Sequence, residues 1–550
     1  MISPGMTNPA TAGDIVAAAL EAARVRTVFG VISIHNIPLF DGIARRGGIR
    51  CVGARGEAGC VNMADAYARS IAGLGVAITS TGTGAGNAAG ALIEALGAGT
   101  PLLHLTGQVA TSAIDRHAGY IHETRDQLSM LRAVSKAAFR VEAIEALLPT
   151  LQRAIALALA PPCGPVSVEI PIDLQHASIE LPSPARFAVA TEAVRAPDTA
   201  TLEAMAAQLA HARRPLLCLG KGAAPAAATA RAFADAGWAV VTSLNGRAIV
   251  AEDHPAVLGA FATYDAARAF YATCDAVLIV GSRLRATDTN DYKLELPAAR
   301  FRIDVDPQAC GRSYETVFAR GEAATSLAQL HDVLGTRQTI DPLFAGDIAR
   351  TRTALAAELE RKLGDYAPFA HALAAWMPRD ARFARDISIA NSVWATRYPP
   401  LAANECNLHA AGGGIGQGLA MGIGAALAPG GRKTVILTGD GGLMLNLGEL
   451  ATLVQERADA LLIVMNNRAY GMIRHIQHMR YGRRYLLDEL ATPDFGLIAA
   501  SLELPYARVT DAAAFADALA ELGNRTGPAV IEVDMSGFGK LGGQFGESQP

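Results

Sequence analysis

Residues Lys433–Thr438 (KTVILT) make a short apolar, β-branched run that stops at Gly439-Asp440-Gly441-Gly442. Asn446–Glu456 then has helical spacing, and Leu461–Met465 is a second apolar run ending in Asn466-Asn467. A buried strand, a glycine turn, a helix and another buried strand form a parallel unit, with both strands ending at the same edge of the sheet. That edge is where open α/β sheets bind ligands. Two hard oxygen donors, Asp440 and Asn467, therefore converge there. Glycines 439, 441 and 442 let backbone N–H groups approach a phosphate, and a carboxylate plus an amide oxygen suits an octahedral Mg²⁺ that keeps phosphate oxygens. Gly-Asp-Gly alone is also a common tight turn. The preceding strand and the Asn-Asn ending the next one favour a magnesium diphosphate site.

The same alternation runs through the rest of the chain. Thr11–Asp14 reads as a capping box that opens a first helix ending near Arg24. Strand-like runs follow at Thr27–Val31, Ile49–Val52, Gly75–Ser80, Pro101–Thr106 and Val166–Ile170, with helical stretches between them. This predicts an α/β fold of doubly wound parallel sheets covered on both faces. At 550 residues, with 51% hydrophobic and 18% charged, the chain is too long for one core and suits three domains. The expected boundaries are 1–181, 197–334 and 350–535, with a glycine-rich tail at 536–550. A net charge of -4 gives no reason to expect nucleic acid. The 7 cysteines show no close CxxC pair, and Cys51 and Cys60 lack the His partners of a zinc site, so reduced core residues of a cytoplasmic protein are expected. The opening MISPGMTNPATAGD has no signal-peptide pattern, the apolar runs are short or broken by glycine, and no solenoid repeat is visible.

Within the first domain, ARGEAGCVNMADAYAR (54–69) carries a strand end into a helix with Glu57 near its first turn, where the macrodipole alone would favour a carboxylate. TSTGTGAGN (79–87) is a glycine-rich strand-to-helix loop, and LTGQV (105–109) ends the next strand. Together with the GDG and NN pair, these segments resemble thiamine-diphosphate (ThDP) enzymes of the acetolactate synthase and 2-oxo-acid decarboxylase group. The resemblance covers nearly the whole chain. It implies a pyrimidine-binding first domain, a central domain and a diphosphate-binding third domain. It makes Glu57 the carboxyl that hydrogen-bonds the aminopyrimidine, although Gly56 stands where many relatives have His. It assigns the metal to Asp440, Asn467 and the Ala469 carbonyl. Thr83, Asn87, Gly439, Gly441, Gly442, Gly471 and Met472 become cofactor contacts, and Ile415 becomes the apolar prop that bends the cofactor, though an ordinary core Ile remains open.

The middle domain contains RPLLCLGKG (214–222), DAVLIVG (275–281) and FRIDVD (301–306). Gly220-Lys221-Gly222 begins a dinucleotide fingerprint that fails at Pro225, so a structural role is preferred and FAD or ADP, which some relatives bind there, is not expected. Arg350–Gly364 reads as a linker helix, and ECNLHAAGGGIGQGLAMGIGAALA (405–428) as a glycine turn feeding a small-residue helix.

The resemblance implies that Glu57 helps the cofactor lose its C2 proton, and that a 2-oxo acid then loses CO₂ to give an aldehyde or is joined to a second carbonyl. His35, in FGVISIHNIPLFD, and His122, in IHETRDQL, are pocket candidates, and the resemblance places His122 where decarboxylases carry a His, which leans toward decarboxylation. Ile32-Ser33 replaces the usual Pro-Gly. The basic segment RHIQHMRYGRRY (474–485) could meet an anionic substrate or be a solvated helix face. A 2-oxo-acid decarboxylase is the preferred reading. An acetolactate-synthase-like carboligase, a 2-hydroxyacyl-CoA lyase and a silent cofactor-binding scaffold are the alternatives. A homodimer or homotetramer with sites between subunits is expected.

Overall fold

The computed structural model describes residues 10–190, 197–335 and 337–537. They form three six-stranded, fully parallel sheets. The first contains β1 (Thr27–Gly30), β2 (Arg50–Gly53), β3 (Gly75–Thr79), β4 (Leu102–Gln108), β5 (Ala137–Arg140) and β6 (Pro165–Pro171) in the order 2-1-3-4-6-5. The second contains β7 (Pro215–Leu219), β8 (Ala239–Thr242), β9 (Val257–Gly259), β10 (Ala276–Val280), β11 (Ala299–Asp304) and β12 (Val317–Arg320), in the order 9-8-7-10-11-12. The third contains β13 (Arg382–Arg385), β14 (Asn407–His409), β15 (Thr434–Gly439), β16 (Ala460–Asn466), β17 (Tyr506–Val509) and β18 (Ala529–Asp534). Its order is 14-13-15-16-18-17, which repeats the first sheet. Each sheet reverses direction beside its first strand, so a crevice opens outside the carboxyl ends of β1/β3, β7/β10 and β13/β15.

Two shared cores join the sheets. Met63 and Ala91 from the first domain pack with Met421, Ile423 and Ile436 from the third. Val277 from the second shares a core with Phe344, Trp394 and Val435. The expected linker helix spans Phe344–Leu363 and buries Phe344, Ile348 and Leu355 in that second core. The helices Glu57–Ile71 and Gly418–Ala426 face each other across the first core at backbone contact: a Cβ on Gly424 would lie 2.1 Å from the Met63 carbonyl oxygen.

Several local expectations needed correction. Asp440–Leu445 is already a short helix, and a second begins at Glu449, so the GDG glycines start a helical turn rather than a loop. All seven cysteines are free, but Cys51 and Cys310 are exposed rather than in the core. The basic segment, by contrast, begins in the helix Gly471–Arg480, none of whose residues is buried, in line with a solvated helix face. The expected tail falls outside the described residues beyond Gly537. Among the described residues no helix is long and apolar enough to cross a membrane.

Candidate active site

The crevice of the third sheet gathers the residues of the GDG and NN motifs. β15 delivers Gly439 and Asp440, and β16 delivers Asn467 from the adjacent strand. Asp440 is 1% exposed, and its Oδ2 is buried with no hydrogen-bond partner. Burial pushes its pKa up to about 6, against the opposing pull of the N–H groups of Asn467, Gly441 and Ala469. An orphaned carboxylate oxygen beside an amide side chain is a hard donor set, and these residues fit a small divalent cation with oxygen preference. The loop after β16 is held from behind: Asn466 donates to Glu532 at 2.8 Å and accepts from the Arg468 N–H at 3.1 Å. A Cβ on Gly471 would meet the Asn467 side-chain nitrogen at 2.6 Å, so a larger residue there would displace the Asn467 amide. Ile415 is 41% exposed, which does not fit an ordinary core isoleucine.

Sequence reading missed Asp386, at the end of β13. It is 1% exposed and accepts from the Gly416 N–H at 2.9 Å, the Ile387 N–H at 2.7 Å and the Thr438 hydroxyl at 3.1 Å. It thereby ties the turn carrying Ile415 to the strand carrying Asp440.

The crevice of the first sheet holds the other candidates. Glu57 opens the helix after β2, and its Oε2 accepts from Asn87 Nδ2 at 3.2 Å. Thr83 begins the helix that carries Asn87. A Cβ on Gly84 would lie 3.1 Å from Glu57 Oε1 and 2.8 Å from Ser80 Cβ, so Glu57 and Ser80 flank that glycine. His35 and His122 meet with their Nδ1 atoms 3.3 Å apart. Ser80 Oγ is 3.5 Å from His122 Nδ1 and accepts from the Ser33 hydroxyl at 2.7 Å.

Glycines make this meeting sterically feasible. Gly82 has φ +62°, and a Cβ there would sit 2.1 Å from the His122 carbonyl oxygen. A Cβ on Gly107 would lie 2.3 Å from the His35 carbonyl oxygen. Fully buried Asn36 fixes the His35 loop by accepting from the Ser33 N–H at 2.7 Å and donating to the Val31 carbonyl at 3.0 Å. Buried Gln127, also missed in the sequence, accepts from the Gly82 N–H at 2.7 Å and the Thr81 hydroxyl at 2.8 Å. Burial, and then the neighbouring His122, push the His35 imidazole below its ordinary pKa. Within one chain, and among the described residues, no hydrogen bond or ion pair joins Glu57 and its neighbours to Asp440 and Asn467.

The two crevices, each at the reversal point of a 2-1-3-4-6-5 sheet, are matched by sequence comparison. Residues 10–130 match the family "Thiamine pyrophosphate enzyme, N-terminal TPP binding domain", and residues 390–533 match "Thiamine pyrophosphate enzyme, C-terminal TPP binding domain". Residues 202–330 match the corresponding central domain. The "Probable 2-ketoarginine decarboxylase AruI" of Pseudomonas aeruginosa is 32% identical over 473 residues, covering 84% of this chain and 83% of that protein. This chain belongs to the thiamine pyrophosphate enzymes. Two further relatives are less similar. The acetolactate synthase isozyme 2 large subunit of Escherichia coli is 28% identical over 94% of each chain. The "Probable acetolactate synthase large subunit" of Methanocaldococcus jannaschii is 26% identical over 90% of this chain and 87% of its own.

In this thiamine pyrophosphate enzyme the third crevice opens into a cavity of about 300 Å³ between the central and first domains, lined from the first domain by residues such as Arg69 and Pro161. The partial fingerprint Gly220-Lys221-Gly222 borders it, together with Gly281, Asp304 and Arg312. Lys221 donates to Asn404 Oδ1 at 2.6 Å, which ties this turn to the third domain.

Proposed function

We propose that this enzyme decarboxylates a 2-oxo acid to an aldehyde, using ThDP and Mg²⁺. Asp440, Asn467 and the Ala469 carbonyl would hold the metal. Gly439, Gly441, Gly442, Gly471 and Met472 would border the diphosphate, and Ile415 would support the bent cofactor. Thr83, Asn87 and Glu57 would meet the pyrimidine, with Glu57 exchanging a proton with a ring nitrogen. When bound, ThDP supplies the electron sink that allows CO₂ to leave. The chain then has to deliver a proton to the remaining fragment if an aldehyde is to form.

The observation that carries this reading is the His35–His122 contact beside Ser80, in the crevice that contains Glu57. Two Nδ1 atoms at 3.3 Å hydrogen-bond only if one carries a hydrogen and the other does not, so the pair holds a proton ready for transfer. A carboligase needs the opposite, a pocket that withholds a proton until a second carbonyl arrives. The name of the Pseudomonas aeruginosa relative supports decarboxylation and brings 2-ketoarginine into the set of substrates to test.

The composite site between subunits is part of the same proposal. Exposed apolar side chains rim each half-site: Ile32, Ile34 and Ile121 near the histidines, and Ile415, Leu445 and Ile473 around the metal residues. Patches of this kind mark surfaces that meet a partner. A homodimer or homotetramer in which the first domain of one chain closes the third domain of another would bury both.

The test is product analysis of purified protein with ThDP and Mg²⁺ across a panel of 2-oxo acids, 2-ketoarginine included. Aldehyde is the expected product, whereas hydroxyketone would establish the carboligase. In the same assay His122→Asn should lower kcat by about 10²–10⁴-fold with cofactor affinity retained, the usual cost of losing a proton donor.

A further inference from the structure

Two buried glutamates cross the boundary between the first and third domains, in opposite directions. Glu94, on the first domain's helix Thr83–Ala98, accepts from the Gly412 N–H and from Gln417 Nε2 at 3.3 Å, both in the glycine turn around Ile415. Glu449 opens the third domain's helix Glu449–Gln455. Its Oε1 accepts from the N–H groups of Arg55 at 2.9 Å and Gly56 at 3.1 Å, the two residues ahead of Glu57, and its Oε2 accepts from the Thr452 hydroxyl at 2.7 Å.

Glu94 is 2% exposed and Glu449 1%. Both pack closely against a glycine of the other domain. A Cβ on Gly412 would lie 2.7 Å from Glu94 Oε2, and one on Gly59 would lie 2.3 Å from Glu449 Oε1. A buried carboxylate stripped of its N–H donors is costly, and so is a buried N–H stripped of its acceptor, so each contact fixes the backbone it reaches.

We propose that Glu94 and Glu449 are positioning residues: Glu94 sets the turn that carries Ile415, and Glu449 sets the helical turn that carries Glu57. Each domain of a chain thus orients the other domain's half of a cofactor site. The inference rests on the reading of Glu57, Ile415 and Asp440 as cofactor-site residues. Where sites form between subunits, the two glutamates of one chain serve two different sites.

The experiment uses the full chain and no substrate, with Ala and Gln replacing each glutamate and with E57Q and D440A as controls. Three quantities are measured: thermal unfolding, calorimetric titration with ThDP in the presence of Mg²⁺, and deuterium exchange at C2 of the bound cofactor. Glu449→Ala should slow C2 exchange about tenfold while affinity stays within about threefold, because one lost buried hydrogen-bonding group displaces Glu57 and not the diphosphate residues. Glu94→Ala should instead weaken ThDP binding about tenfold through the displaced turn.

Both Gln variants should restore wild-type behaviour, since an amide oxygen accepts the same N–H groups. At Glu94, the buried and unpartnered Gln417 Oε1 can rotate to meet the new amide nitrogen. If either Ala variant fails to fold, Glu→Asp at that position, which keeps the charge and withdraws the acceptor, should show the same selective defect. Wild-type exchange and affinity in the Ala or Asp variants, or equal loss of both quantities in both, would overturn the proposal. If E57Q keeps wild-type exchange or D440A keeps wild-type affinity, the cofactor-site reading itself fails. If the controls respond and the glutamate variants do not, only the positioning role fails.

Discussion

Asp440 combines almost complete burial with an Oδ2 that no protein group satisfies, and a carboxylate in that condition is retained for what it binds. Asp440→Ala should abolish Mg²⁺-dependent ThDP binding in a calorimetric titration while the protein still unfolds cooperatively. His104 shows the contrasting case of a buried polar residue serving the fold alone. It is fully buried on β4, with its ring nitrogens 2.8 Å from Thr79 Oγ1 and 3.1 Å from Ser167 Oγ. Burial pushes its pKa down to about 4. The unfolded chain therefore takes up a proton that the folded chain refuses, so this contribution is complete above about pH 6.5 and is lost as pH falls toward 4, a change of about 3 kcal/mol. Denaturant unfolding of His104→Gln at both ends of that window should show a flatter pH dependence than wild type. The family resemblance pointed to His35 and His122 as pocket candidates, but it could not show that they meet. Their contact joins two loops 87 residues apart, whereas His104 is held inside one sheet.

The contact of helix Glu57–Ile71 with helix Gly418–Ala426 depends on small residues rather than on interlocking large ones. Gly424→Val would force a branched side chain into the Met63 carbonyl, 2.1 Å from where its Cβ must sit. The expected result is a loss of about 1–3 kcal/mol in stability, read by thermal unfolding, together with weaker ThDP binding because this contact lies between the two halves of the chain's cofactor machinery. The small-residue helix was legible in the sequence. Its partner was not, because small residues specify close approach but not what approaches. β13 illustrates the opposite difficulty. Its sequence RFAR lacks the apolar run of a buried strand, yet Arg382 is 2% and Arg385 1% exposed. Arg382 donates to the carbonyls of Ala425 and Ala428, and Arg385 to that of Ala395. Buried guanidinium groups that donate from their terminal nitrogens to oxygens of other segments, while each Nε stays unpartnered, hide a strand from any reading of hydrophobic pattern, and with it Asp386 at the strand's end.

For the whole molecule, the proposed pairing of Glu57 of one chain with Asp440 of another gives composite sites a specific signature. Mixed E57Q and D440A chains that exchange subunits should recover about a quarter of wild-type activity, because half the dimers are mixed and each then has one intact site. Each variant alone should be nearly inactive, and activity that fails to return on mixing, with exchange verified by light scattering of tagged chains, would place both residues in a single-chain site.

The parallel α/β class, the GDG and NN motifs at neighbouring strand ends and the glycine-rich loops around Glu57 were legible in the amino-acid order, because each is a local pattern of period, turn chemistry and spacing. The continuous cores between domains, the His35–His122 pair, Asp386 behind the Ile415 turn and the reciprocal glutamates became visible only in the tertiary structure. Each consists of residues far apart in sequence, brought together by sheet order and by glycines that admit one backbone against another. A single glutamate in a helical stretch carries no mark of the N–H groups it will meet nearly 400 residues away.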